Sequence, residues 1–156
     1  MRIAFLLALV PSLALAQPLP LRPPVLRACV SSPFGWRHTL GPHVPGGFHN
    51  GIDLPAPAGA IVHAAAAGTI TVIKRQGLGG VTVHIAHPGG ITTLYAHLGN
   101  LVPAIAIAKG KRAVAMGEPL GHVARTGVTY GTHVFFAVFV NGQAVDPLTM
   151  MTIPRC

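Results

Sequence analysis

Acidic residues are almost missing from this 156-residue chain: three Asp and Glu stand against eleven Lys and Arg, and charged residues of all kinds reach only 9%. Aromatic residues are scarce as well, at 6%, with a single Trp. No apolar segment attains the ~18 residues that a membrane-spanning helix requires, so a chain built on such spans is excluded. Helical patterning is absent too, since apolar residues nowhere recur at helical spacing between two caps. The 19 glycines keep no three-residue period, which excludes a collagen. What the chain does have is Gly and Pro, together more than a fifth of its residues, and short dense runs of Val, Ile and Leu. The first points to many turns, the second away from disorder. The length allows one domain and leaves little room for another.

The N-terminus has the layout of a secretory leader. Arg2 supplies the positive start, Ile3 to Val10 is an unbroken apolar run, and Ala14-Leu15-Ala16 is a small-x-small site, so cleavage is expected after Ala16. The mature chain would then work outside the cytoplasm, in the periplasm, the envelope or the medium, with no transmembrane segment. No Cys follows that site, so a lipid anchor is not indicated. Export gives the two cysteines a meaning. In an oxidising compartment Cys29 and Cys156 most simply pair with each other, the alternatives being free thiols or a bond between chains. An internal bond would close a long loop, worth about 5 kcal/mol on the chain-entropy estimate.

Charge points outward as well. Loss of Arg2 lowers the net charge from +8 to +7, which favours anionic partners, for an exported protein cell-wall polymers or lipopolysaccharide. The basic residues are scattered apart from Lys109, Lys111 and Arg112, and no aromatics interleave with them, so no nucleic-acid partner is expected.

Along the chain, Gln17 to Arg27 reads as a Pro- and Leu-rich extended arm. From Ala28 onward, short apolar runs are separated by Gly. Thr69 to Lys74, Val81 to Ala86, Ile91 to Tyr95, Leu120 to Ala124 and His133 to Asn141 read as strands, and the alternating 104–108 segment as a further one. Gly77 to Gly80 turns the second of these back on the first. The period of two puts Ile91, Thr93, Tyr95 and His97 on one side of their strand. It likewise puts His133, Phe135, Ala137 and Phe139 together, opposite an apolar face of Val134, Phe136, Val138 and Val140. The fold class is all-β: a compact domain of antiparallel strands, with the arm packed on it or trailing from it.

Nine histidines in a chain with three acids are unusual. His49 and Asp53 stand four apart in a Gly-rich segment, and a histidine and a carboxylate that converge offer the mixed N/O ligands zinc accepts. The spacing alone is weak. Taken with their order along the chain, however, the motifs resemble a known family, the lysostaphin-type or LytM-like zinc endopeptidases that cut peptide cross-links of bacterial peptidoglycan. Ser32-Pro33-Phe34-Gly35-Trp36-Arg37 is similar to the family's opening motif. His49-Asn50-Gly51-Ile52-Asp53 resembles its first metal-binding segment, and Tyr95-Ala96-His97-Leu98 its second histidine motif. Pro57-Ala58-Gly59 and Ala67-Gly68-Thr69-Ile70 resemble the strand pair between them. Gly127 to Val138 resembles the segment that ends in H-x-H, and Val145-Asp146-Pro147 its closing turn.

The resemblance implies a duplicated-hybrid-motif type of β fold with its site in a groove. With the leader (1–16) and the N-terminal arm (17–30) read above, it leaves a LytM-like peptidase domain (31–150) and a tail (151–156). It implies Zn2+ as cofactor, His49 and Asp53 as metal ligands, and His97 and His133 as catalytic histidines that activate water and stabilise an oxyanion. The family's third ligand is the second histidine of H-x-H; that position here is Phe135, and the Glu that often follows two residues on is Ala137. A phenyl ring has no lone pair to offer, and the strand period keeps it on the same side as His133. The expectation is therefore a secreted domain that binds peptidoglycan peptides or regulates a wall hydrolase, such as a cell-wall amidase, with impaired catalysis. The alternative is an active endopeptidase with a substitute ligand, for which His63, His84 and His122 are the candidates. A third reading is a purely structural envelope protein.

Overall fold

The computed structural model describes residues 19–39, 46–106 and 112–156. The leader lies outside the described residues, as does the Lys109 and Lys111 part of the basic cluster. Eleven strands are present among the described residues: β1 (Gly35–Arg37), β2 (Gly47–His49), β3 (Ile52–Pro55), β4 (Ile61–His63), β5 (Gly68–Lys74), β6 (Val81–Ala86), β7 (Ile91–Leu101), β8 (Arg112–Val114), β9 (Pro119–Val123), β10 (His133–Val140) and β11 (Gln143–Val145). Strands β1 and β2 form a separate hairpin. The others join one antiparallel sheet in the order β11-β10-β7-β6-β5-β8, with β3 on β10 and β9 bridging β7 to β4. The all-β antiparallel expectation holds. No helix of the described residues is long and apolar enough to cross a membrane.

Strands β10 and β7 pack against each other within the core. On β10, Val134, Phe136 and Val138 are fully buried, as the alternation requires, while Val140 at the strand end is only partly covered. On β7, Ile91, Thr93 and Tyr95 are buried on the matching face, and the Tyr95 and Phe136 rings pack 5.3 Å apart. The 104–108 segment differs from its expected strand: Pro103–Ala106 form a single helical turn, and 107–108 lie outside the described residues. Proline sets the backbone angle a first helical position needs, and this overrides a two-residue alternation too short to find a pairing partner.

The arm packs on the domain. Leu21 and Val25 are buried, the Arg22 N–H donates to the Ala65 carbonyl (2.8 Å), and the His63 N–H donates to Pro24 (2.8 Å). At the other end, Met151 and Ile153 are buried and the Val30 N–H donates to Pro154 (2.8 Å). This pairing brings Cys29 and Cys156 together in a disulfide, with Cα atoms 4.9 Å apart across a sequence separation of 127. Of the alternatives left open by the sequence, the internal bond is the one formed.

One polar chain runs through the interior. Ala65 N–H meets the Tyr95 hydroxyl (2.8 Å), which lies 3.1 Å from Thr93 Oγ1; Thr93 Oγ1 lies 2.8 Å from His87 Nε2, and His87 Nδ1 lies 2.7 Å from the Ala67 carbonyl. With its proton on Nδ1, a neutral His87 lets every group be satisfied in one direction. Nδ1 donates to Ala67, Nε2 accepts from Thr93, Thr93 accepts from Tyr95, and Tyr95 accepts from Ala65. Burial accordingly lowers the His87 imidazole below its ordinary value, against a smaller raise from the Ala67 carbonyl, and lifts the Tyr95 hydroxyl to about 12.

Candidate metal centre

Asp53 is the centre of the site. It sits on β3 directly opposite Phe135 of β10, with its backbone fixed on both sides: its N–H donates to Ser32 (2.9 Å) and its carbonyl accepts from Ser31 N–H (3.0 Å). Its Oδ1 lies 3.3 Å from His49 Nε2 and 3.3 Å from His133 Nε2, and its Oδ2 lies 3.6 Å from the Arg37 guanidinium. Burial pushes the Asp53 carboxyl up. Hydrogen bonds and charge from His133 and His49 together outweigh this and hold it well below the usual carboxylate range.

The β1–β2 hairpin delivers His49. The register places His49 opposite Gly35, and alternation turns it inward while Phe48 stays exposed. Its Nδ1 donates to the Pro33 carbonyl at 2.8 Å, which leaves Nε2 facing the carboxylate. His133 starts β10 and lies 3.4 Å from Thr129 Oγ1 through Nδ1.

His97 arrives by a departure from the expected alternation. Strict periodicity would keep it beside Tyr95 on the core face. The register between β6 and β7 shifts at this point, and His97 has φ +60°, in the left-handed region. The irregularity turns its ring to the Phe135 side, where it stands edge-on to His133 with ring centroids 5.1 Å apart. Its Nδ1 donates to the Thr126 carbonyl (2.8 Å). Burial lowers its imidazole, helped by His133 and opposed by the Thr126 carbonyl and Asp53.

Phe135 occupies the middle of this group. Its ring lies 5.3 Å from the His49 ring and 6.4 Å from that of His97, and it covers Gly51, where a Cβ would come within 2.6 Å of the phenyl tip. Phe135 thus lies against His49 and His97 and opposite Asp53, on the strand that carries His133. Arg37, the Pro33 carbonyl and Thr126 were not picked for the site. Arg37 was legible only through the scarcity of acids that could face it; the other two act through backbone atoms, which a sequence pattern does not reveal.

A catalytic zinc takes three protein ligands and keeps one position open. His49 and Asp53 offer two donors, Phe135 offers carbon, and His133 is turned onto the same Asp53 oxygen. Among the described residues no three His, Cys, Asp or Glu side chains are placed to hold a metal ion, so His63, His84 and His122 complete no such set there. This donor set does not fit a three-ligand catalytic zinc.

Residues 47–147, which hold every one of these side chains except Arg37, match the family model described as Peptidase family M23. The chain belongs to peptidase family M23. It is 39% identical over 132 residues to the DD-carboxypeptidase/endopeptidase Mpg of Neisseria meningitidis, covering 81% of this chain and 28% of that protein. It is 30% identical over 100 residues to the peptidoglycan DD-endopeptidase ShyB of Vibrio cholerae, covering 64% and 22%. Among solved structures, that of a putative peptidase M23 from Pseudomonas aeruginosa superimposes with a TM-score of 0.68 at 32% identity, covering 85% of this chain and 50% of that one. The chain therefore spans only about a quarter of the length of the curated M23 relatives it matches.

Proposed function

We propose that this M23 domain is exported, acts at bacterial peptidoglycan without efficient catalysis of its own, and binds wall peptide or regulates a wall hydrolase such as an amidase. The observation that carries this reading is Phe135, whose ring stands among His49, His97, Asp53 and His133 where the family resemblance puts the third zinc ligand. In this reading His49 and Asp53 are the remaining metal-side residues, and His97 and His133 the remaining catalytic-side pair. Loss of a hydrogen-bonding group behind a ligand already costs about 10–100-fold in metal affinity, and loss of a ligand costs more. The relatives named for peptidoglycan endopeptidase activity support the wall as the place of action, and the Cys29–Cys156 bond supports an oxidising compartment.

Purified wild-type protein should carry zinc far below one per chain and release no peptides from purified peptidoglycan. It should still be retained by that polymer at salt concentrations that screen simple charge attraction. Stoichiometric zinc together with peptide release would overturn the non-catalytic reading, and complete loss of retention at physiological ionic strength would overturn wall-peptide binding.

A further inference from the structure

Close to the site, two loops carry an exposed surface that the groove chemistry does not use. The β5–β6 turn and the loop 125–130 are locked tip to tip. The Val128 N–H donates to the Leu78 carbonyl (2.8 Å), and the Thr126 hydroxyl accepts from Val81 N–H (2.9 Å) and donates to the Leu98 carbonyl (2.6 Å). Gly80 and Gly127, both at positive φ, nest so closely that a Cβ on either would strike the other loop's backbone. The tips are therefore preorganised, and they hold large apolar side chains out in water: Leu78 is 78% exposed, Val128 58% and Tyr130 58%. Lys74, Arg75 and Arg125 flank them, all exposed.

No acid answers these cations. Asp53 is held by Arg37 and two imidazoles, Glu118 pairs with Arg112 (2.6 Å), and Asp146 accepts from Leu148 N–H at the start of a short turn (2.9 Å). These are all three acidic residues of the chain. A soluble anionic polymer would be met by the cations alone and would leave three apolar side chains with no partner. The boundary between the headgroups and acyl chains of an anionic bilayer takes both: apolar tips enter it, Tyr suits its depth, and Lys and Arg reach the phosphates. We propose that the paired tips of the 75–80 and 125–130 loops form a basic, apolar knob that docks the domain on an anionic lipid surface. Thr126 and Thr129 of the same loop contact His97 and His133, so docking would bring the groove beside the membrane.

The test uses the disulfide-bonded protein recovered from the exported fraction, sedimented with vesicles of phosphatidylcholine alone or of equal parts phosphatidylcholine and phosphatidylglycerol. Binding should require the anionic lipid. Lys74→Gln/Arg75→Gln/Arg125→Gln should weaken it by about fivefold per cation. Leu78→Ser/Val128→Ser/Tyr130→Ser should weaken it about tenfold or more while leaving the melting temperature in place. In a Trp36→Phe background, the emission of Leu78→Trp should be quenched by brominated acyl chains. The proposal is overturned by equal binding to neutral vesicles, by no binding to anionic ones, by an apolar triple variant that binds like wild type, or by emission that brominated lipid does not quench.

Discussion

Strand β7 contributes to two histidine clusters that are built in opposite ways. On its core face, Thr93 and Tyr95 join His87 in a chain in which each donor finds an acceptor while the imidazole is neutral. At its bulge, His97 joins His49, His133 and Asp53, where two imidazole nitrogens converge on one carboxylate oxygen at 3.3 Å each. The first cluster closes on itself and needs nothing from outside. In the second, the Nδ1 of both His49 and His97 donates to a backbone carbonyl, which fixes each ring, and the His49 Nε2 faces the Asp53 carboxylate. Phe135 stands beside them, its ring 5.3 Å from that of His49 and 6.4 Å from that of His97, in register with Asp53. The contrast separates histidines that hold a fold from histidines held by a fold.

The largest expected effect comes from completing the second cluster. Phe135→His replaces the phenyl ring with an imidazole on the same strand face as His133, in register with Asp53. With His49 and Asp53 it would supply three donors and an open position. Zinc measured by elemental analysis should rise to about one per chain, with affinity gained by more than about 100-fold, and peptide release from peptidoglycan should appear. A variant that folds, as judged by its melting curve, and still binds no zinc would show that the remaining donors no longer converge.

Breaking the first cluster should cost stability instead. Tyr95→Phe keeps the ring and its packing on Phe136 but strips the acceptor from the buried Ala65 N–H. An unsatisfied buried donor costs about 1–3 kcal/mol, readable in denaturant unfolding. Zinc uptake by Phe135→His should be unaffected by adding Tyr95→Phe. If the double variant loses zinc, the two clusters are coupled through β7 and the separation fails.

How much of this was legible depends on length and on partners. Strands β5, β6 and β10 announce themselves as runs of six to eight residues dense in Val, Ile and Phe, and β10 shows its buried face by alternation alone. Strands β1, β2, β3, β4, β8 and β11 have three or four residues each, too few for a period, and form because a distant partner pairs with them. The side on which His97 projects departs from the strand period because a bulge is a tertiary feature of β7 against its neighbours. His49 and Asp53 were legible as a weak spacing that the ordered motifs made specific. The buried chain leaves no local trace in the sequence: His87 follows a strand and precedes Pro88, with no sign that it folds back onto Ala67.

The two clusters should also part company in pH. Burial depresses His87 in the folded protein, so below about pH 6.5 the unfolded chain takes up a proton that the folded one refuses. Stability should therefore fall as pH drops below that value, until the lower folded value is reached. His84, depressed by burial and by Lys74, and His97, depressed chiefly by burial, add to the same window. Asp53 acts lower. Its folded carboxyl is held down, so its contribution is complete above the unfolded value near 3.9 and is lost as pH falls through the folded one. Urea unfolding across this range should show two falling segments, and His87→Gln should flatten the upper one only. An unchanged upper slope in that variant would place the upper titration elsewhere.

The smallest effect expected belongs to the histidines outside both clusters, and its smallness is informative. His122 lies on β9 opposite Ile61, and its Nδ1 has the Asn100 carbonyl as partner at 3.1 Å near the surface. Glutamine can replace that contact from a similar reach. His122→Gln should thus change stability by no more than about 0.5 kcal/mol, the range of surface substitutions away from special features. It should also leave the zinc content of wild type and of Phe135→His where it was. His63, on β4 and paired with the same strand β9, should behave alike. These controls separate a gain of zinc made at the β10 position from adventitious binding to a histidine-rich chain. Zinc bound by wild type and lost in His122→Gln would identify a substitute ligand and reverse the reading of Phe135.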